Sequence, residues 1–173
     1  MQSCVAKWGN NYYFYIQINF LAMSFLTGEY ECKLDSKGRI IFPSGLLQEL
    51  PEEQRKLLVI NRGLDNCLEL YLESEWERRC LEVNELDEYD DDNREFKRYF
   101  YMGARNLYFD GSNRLLIPKF LLQYAGVEKD ICLLAQANKI ELWDAKSYEL
   151  KRLNKQKEYL ALAKKVMTKK RGM

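Results

Sequence analysis

Two stretches of this chain are versions of each other, and that duplication restricts the fold more than any other feature. Leu34–Leu47 reads LDSKGRIIFPSGLL and Phe109–Leu122 reads FDGSNRLLIPKFLL. Asp35 aligns with Asp110, Arg39 with Arg114 and Pro43 with Pro118, always 75 residues apart. A second block follows in each half, CLELY at Cys67–Tyr71 and KIELW at Lys139–Trp143, at an offset of 72. Ordered matches at two blocks mark an internal repeat rather than two turns that happen to look alike. Each copy spans about 45 residues, too few to bury a stable core alone. The copies are therefore expected to pair within the chain and share one β core about an approximate two-fold axis.

The local pattern of one copy is legible. Tyr30, Cys32 and Leu34 alternate with Glu29, Glu31 and Lys33, the period of a half-buried strand. Asp35-Ser36-Lys37-Gly38 is turn chemistry: the Asp carboxylate can accept backbone N–H groups and Gly38 tolerates positive φ. Arg39–Phe42 returns as a strand with Ile40 and Phe42 on one face. Pro43 opens a short helix to about Leu50, and strands follow at Leu57–Ile60 and Cys67–Leu72. The second copy repeats this order, with a short helix stopped at Gly126 and strands near Ile131–Ala135 and Lys139–Trp143.

The chain divides on this reading into an extension (1–23), a first module (28–75), a helical linker (76–103), a second module (104–147) and a basic C-terminal helix (148–173). In the linker, Ser74 is expected to cap a helix carrying Trp76, Cys80 and Val83 on one face. The acidic run Asp87–Asp92 breaks it, and Phe96, Tyr99, Phe100 and Gly103 form a second stripe. One last helix is expected from about Asp144 to Met167, its edge Leu153, Gln156, Leu160, Ala163 and Met167 packing on the chain's own sheet or, as the other reading, on a neighbouring subunit. The Lys-rich end, Lys164–Arg171, reads as a solvated tail, with phosphate contact as the other reading. Tyr12–Met23 resembles a signal-peptide core, but Gln17 and Asn19 interrupt it and it is shorter than the roughly 20 residues that span a bilayer. Met23 is an alternative start.

Composition removes most catalytic chemistry. The chain has no histidine, which takes away the commonest general base and zinc ligand. Its five cysteines lack CxxC spacing and read as reduced, packed thiols. P-loop, GxGxxG and nucleophile-elbow motifs are missing. The matched acids Glu69 and Glu141 sit in strands and read as structural. No enzyme activity, catalytic residue, cofactor or metal site is expected. The net charge of +1 means that attraction to nucleic acid must come from local placement.

LDSKGRIIFP, FDGSNRLLIP and the closing NKIELWD, taken together, resemble the MraZ family over about Ser24–Tyr148. The resemblance implies an α+β fold of two tandem SpoVT-AbrB modules sharing a barrel-like core. It implies a transcription regulator that binds double-stranded promoter DNA at short direct repeats ahead of the division and cell-wall gene cluster, often its own operon. It further implies a closed ring of copies, and a cytoplasmic, nucleoid-associated protein with no membrane or small-molecule partner. Lys33, Lys37, Arg39 and Arg114 are the expected DNA contacts, and Asp35, Gly38, Asp110 and Gly111 the expected turn organisers. From the residues alone an intra-turn Asp35–Arg39 ion pair is the simpler reading; the resemblance favours DNA contact for Arg39 and leaves Arg114 open. The second tip departs from the first, with Ser112-Asn113 in place of Lys37-Gly38, so one strong basic tip per chain is expected. An AbrB-like antitoxin and a purely structural oligomer are the competing readings.

Overall fold

A computed structural model describes residues 26–156 and 158–171; the readings for residues 1–23, including Tyr12–Met23 and a start at Met23, lie outside the described residues. The eight strands are β1 (Leu26–Lys33), β2 (Arg39–Ile41), β3 (Leu57–Arg62), β4 (Leu68–Leu72), β5 (Arg105–Tyr108), β6 (Arg114–Leu116), β7 (Asp130–Ala137) and β8 (Lys139–Asp144). Six helices are described: α1 (Ser44–Glu49), α2 (Glu73–Asn84), α3 (Asp91–Tyr101), α4 (Lys119–Tyr124), α5 (Ala145–Gln156) and α6 (Tyr159–Arg171). None is long and apolar enough to cross a membrane.

The two halves are interleaved. Six strands form an antiparallel sheet in the order β1-β7-β8-β4-β3-β5, and β2 pairs with β6 as a separate two-stranded ribbon. Exchanging each strand for its repeat equivalent turns this order into its own reverse, the signature of an internal two-fold axis. Within each half only the β3·β4 or β7·β8 hairpin pairs locally; β1 pairs with β7 of the other half, and β5 with β3. The axis runs between Ile40 and Leu115 in the ribbon and between Glu69 and Glu141 in the sheet, equivalent residues that face each other. A unit of about 45 residues cannot bury enough surface alone, and strand exchange makes the two units one core.

That core lies between the sheet and the ribbon. Leu58, Ile60, Leu68, Leu70, Ile140 and Leu142 come from the sheet, and Ile40, Phe42, Leu115 and Ile117 come from the ribbon side. Leu46 of α1 and Leu121 of α4 close its ends. Ile40 and Leu115 have no exposed surface, so truncating either to alanine should cost about 2–5 kcal/mol. The opposite sheet face carries Val59, Tyr71 and Trp143, all buried. Trp76 of α2 packs on Tyr71 and stacks on Phe100 of α3.

Several expectations need adjustment. The core is shared as expected, but the sheet stays open, with β1 and β5 as its edges. Ser74 does not cap α2: the helix begins at Glu73 without a side-chain cap, and Ser74 instead bonds Gln54. Asp90 does cap α3, accepting from the Asn93 N–H at 2.9 Å, so the acidic run starts a helix as well as ending one. The C-terminal segment is two helices rather than one. Its edge residues Leu153, Leu160 and Met167 are exposed; α5 is held by its other side, through Tyr148 to Glu29 at 2.6 Å and Lys151 to Asp65 at 2.7 Å.

Candidate nucleic-acid interface

Each Asp-x-x-x-Arg motif closes a tight turn in the same way. At the first tip, Asp35 Oδ1 accepts the N–H groups of Lys37 at 2.8 Å and Arg39 at 2.9 Å, while the Gly38 N–H reaches the Asp35 carbonyl at 3.0 Å. Arg39 Nε and Nη2 then meet Asp35 Oδ2 at 2.8 and 2.7 Å. At the second tip, Asp110 Oδ1 accepts from Ser112 at 2.9 Å and Arg114 at 3.0 Å, and Arg114 Nε meets Asp110 Oδ2 at 2.7 Å. Gly38 holds φ at +80°, and its equivalent Asn113 holds +55°. Asparagine is among the few residues that visit this left-handed region, so the missing glycine leaves the second turn unchanged.

The electrostatics follow from these bonds. The Arg39 guanidinium first, then the Arg39 and Lys37 N–H groups, hold the Asp35 carboxyl down to about 2 against the opposing desolvation. Asp110 is lowered by the Ser112 N–H first and by Arg114 after it. A guanidinium offers five N–H donors, and Asp35 engages those on Nε and Nη2. The other N–H groups lie outside this ion pair, and the Arg39 side chain remains 26% exposed.

Strand exchange brings the two motifs together. In the β2·β6 ribbon, Arg39 lies opposite Leu116, and Ile41 lies opposite Arg114. The ladder continues through Phe42 N–H to the Asn113 carbonyl at 3.0 Å and Ile117 N–H to the Gly38 carbonyl at 2.9 Å. Period two turns Ile40 and Leu115 inward and leaves Arg39, Ile41, Arg114 and Leu116 on the outer face. Both arginines therefore share one ribbon, related by the axis, while only the first tip adds a lysine, Lys37.

The remaining sequence candidates sit around this ribbon. Lys37 is exposed at the first tip and makes no ion pair among the described residues, while Ser112 at its equivalent adds no charge. Lys33 ends β1 and pairs with Asp130 at 3.7 Å across an exposed surface, an interaction worth little. Gly111 occupies the place of Ser36, outside the left-handed region, and a side chain there would meet nothing within 4 Å. It does not organise the turn; Asn113 holds that position. Sequence reasoning passed over Lys129 and Lys56, whose carbonyls accept from Leu34 at 2.8 Å and Phe109 at 3.3 Å beside the two tips. Nothing local links those lysines to the tips, because the contact crosses between halves. It also passed over Ile41 and Leu116, although assigning Ile40 and Phe42 inward already turns Ile41 out.

Glu69 and Glu141 belong to a different structure. They face each other on the sheet with Lys139 Nζ at 2.6 and 2.9 Å. Tyr71 donates to Glu69, and Trp143 Nε1 donates to Glu141 at 2.9 Å. Every carboxylate oxygen of the two glutamates has a partner, and one ammonium bridges the like-charge pair at the axis. Burial pushes the Cys32 and Cys67 thiols up to about 12, which suits packed thiols better than reactive ones. Among the described residues no group of His, Cys, Asp and Glu is placed to hold a metal ion.

Both halves of the chain match a known family. Residues 25–99 and again 100–169 match the family model described as "MraZ protein, putative antitoxin-like". A protein of Cytophaga hutchinsonii named transcriptional regulator MraZ is 35% identical over 145 residues, covering 84% of this chain and 96% of its own length. Proteins with the same name from Christiangramia forsetii and Flavobacterium psychrophilum are 39% and 41% identical over 143 and 128 residues. They cover 82% and 73% of this chain, and 92% and 82% of themselves. With both halves matched in tandem and relatives aligned almost end to end, the chain belongs to the MraZ family of transcriptional regulators.

Proposed function

We propose that this protein binds double-stranded promoter DNA through the outer face of the β2·β6 ribbon. The observation that carries this reading is the pairing of Arg39 and Arg114, each fixed by its own aspartate, on one exposed two-stranded ribbon. The major groove admits such a ribbon, and arginine can read guanine there bidentately. Lys37 adds phosphate contact at the first tip; Lys33 stands at the flank. Asp35 and Asp110 orient the arginines. The dyad favours a role for Arg114 as well as Arg39, with the first tip stronger because it alone carries Lys37.

One ribbon is a small footprint. Several copies displayed at fixed spacing gain affinity through effective concentration, and a closing head-to-tail interface produces a ring. The target on this reading is a set of short direct repeats ahead of the division and cell-wall gene cluster, including the protein's own operon, which makes it a cytoplasmic, nucleoid-associated regulator. A mobility-shift titration with the DNA directly upstream of its own gene tests this. Binding should fall steeply with salt and be far weaker on one repeat than on a tandem array. Folded Arg39→Ala protein should lose roughly 1–3 kcal/mol per site contacted, and Arg114→Ala a smaller amount. Unchanged promoter binding by folded Arg39→Ala protein would reject the reading.

A further inference from the structure

The outer face of the ribbon presents two large apolar side chains as well as two arginines. Ile41 is 67% exposed and Leu116 58%, whereas their neighbours Ile40 and Leu115 are fully buried. Neither exposed side chain contributes to the core, and each lies directly across the ladder from an arginine, Leu116 from Arg39 and Ile41 from Arg114. We infer that Ile41 and Leu116 are specificity-determining residues that read thymine C5-methyl groups beside the bases contacted by the arginines.

The inference rests on the ribbon being the DNA-binding face and adds what its apolar positions recognise. On the major-groove edge of the four base pairs, the thymine methyl is the distinctive apolar group. A partner that offers anionic or acceptor groups to Arg39 and Arg114 and methyl groups to the residues between them is duplex DNA with thymine next to the arginine-contacted bases. Spacing agrees. Arg39 and Ile41 are two residues apart on one strand, about 6.7 Å, which matches two base-pair steps of roughly 3.4 Å. Opposed ladder residues lie about 5 Å apart, within reach of a neighbouring step. A second copy is the weaker occupant: stacking this face on itself would cover the guanidinium N–H groups left outside the ion pairs, and the ribbon face of the other copy presents only guanidinium and apolar side chains to them, so donors would be buried without acceptors.

The test selects binding sites from a random duplex library with the wild-type chain, Ile41→Ala, Leu116→Ala and the double variant Arg39→Ala/Arg114→Ala, then replaces single thymines of the selected duplex with uracil, which deletes only the methyl. Wild-type affinity should drop about fourfold for each contacted methyl removed, as for one buried carbon. Each alanine variant should lose its thymine preference, become indifferent to uracil at its own position and keep its other base preferences. The proposal is overturned if uracil costs the wild type nothing, if uracil costs the alanine variants as much as the wild type, or if the alanine substitutions alter molar mass in light scattering instead of base preference. If the double arginine variant selects the same sites as wild type with the same affinity, the ribbon is not the DNA face. That outcome is separate from loss of methyl reading alone. The uracil arm leaves the protein untouched, so it stands even where a substitution disturbs folding.

Discussion

Replacing Lys139 with methionine keeps an aliphatic side chain at the axis and removes its ammonium. Glu69 and Glu141 face each other in the centre of the sheet, each side chain 14% exposed, and share Lys139 Nζ at 2.6 and 2.9 Å. Burial opposes the charge on Lys139, but hydrogen bonds to both carboxylates outweigh it and its pKa is raised. A lysine raised in the folded state contributes at every pH below its unfolded value and loses that contribution only as the pH rises through the folded one. The wild type therefore keeps this support throughout the neutral range. Breaking a buried pair by deleting one partner costs about 3–5 kcal/mol, but here protonation limits the loss. Putting a proton on one carboxyl with an ordinary pKa of about 4.3 costs about 3.7 kcal/mol at pH 7. The expected deficit of Lys139→Met is about 2–4 kcal/mol at pH 7. It should shrink by up to about 1.4 kcal/mol per pH unit toward pH 5, because the variant's folded state takes up a proton that its unfolded state does not. Urea denaturation of both proteins between pH 5 and pH 8 measures this, and Glu141→Gln in the Lys139→Met background should restore most of the loss. A deficit that stays flat with pH, or falls below about 0.5 kcal/mol at pH 7, would refute the charge argument.

Gly38→Ala should cost about 1 kcal/mol in thermal denaturation, set by the left-handed backbone, because the added carbon meets nothing closer than the Ile117 carbonyl at 3.5 Å; Asn113→Gly should be neutral to slightly stabilising. Asp35→Asn should weaken DNA binding in the mobility shift while the chain stays folded. Because Asp35 is depressed to about 2, its contribution to stability is complete above the ordinary Asp value and disappears as the pH falls toward 2, so variant and wild-type melting curves should differ by a constant gap from about pH 5 to 8 and converge in strong acid. Separately produced residues 1–103 and 104–173 should combine into one folded particle in light scattering and circular dichroism, whereas 1–103 alone should not fold into a stable dimer.

The elements and the shared core were legible because they rest on local periodicity and on a copied motif. The strands, the short helices after Pro43 and Pro118, and the Asp-centred turns need only neighbours in sequence. What the sequence concealed is partner choice. Leu26–Lys33 could have paired with its own hairpin, and nothing in LTGEYECK says that its partner is Asp130–Ala137. The side-by-side placing of Arg39 and Arg114 follows from that choice, since the two arginines share a ribbon only once the strands are exchanged. Gly111 misleads by residue type alone: the left-handed position equivalent to Gly38 is held by Asn113. The C-terminal edge Leu153, Leu160 and Met167 failed because heptad-like spacing marks an apolar stripe without saying what covers it.

The fusion also explains why the first half should not revert to a symmetric dimer. Two copies of residues 1–103 could in principle rebuild the sheet, with Glu69 meeting its own twin at the axis as Glu69 meets Glu141 here. The position equivalent to Lys139 in the first half is Cys67, which is buried with its thiol pushed up to about 12 and supplies no positive charge. Two opposed carboxylates would then lack a counter-ion, at the cost worked out for Lys139→Met. Two copies of residues 104–173 would instead bring two Lys139 ammonium groups to two Glu141 carboxylates. The halves should consequently differ: 104–173 self-associates, 1–103 does not, and Cys67→Lys should allow 1–103 to dimerise at neutral pH. A stable dimer of unmodified 1–103 at pH 7, as firm as the recombined particle, would show that the axis does not depend on that single cation, and that the unequal halves are held together by something other than the charge they share.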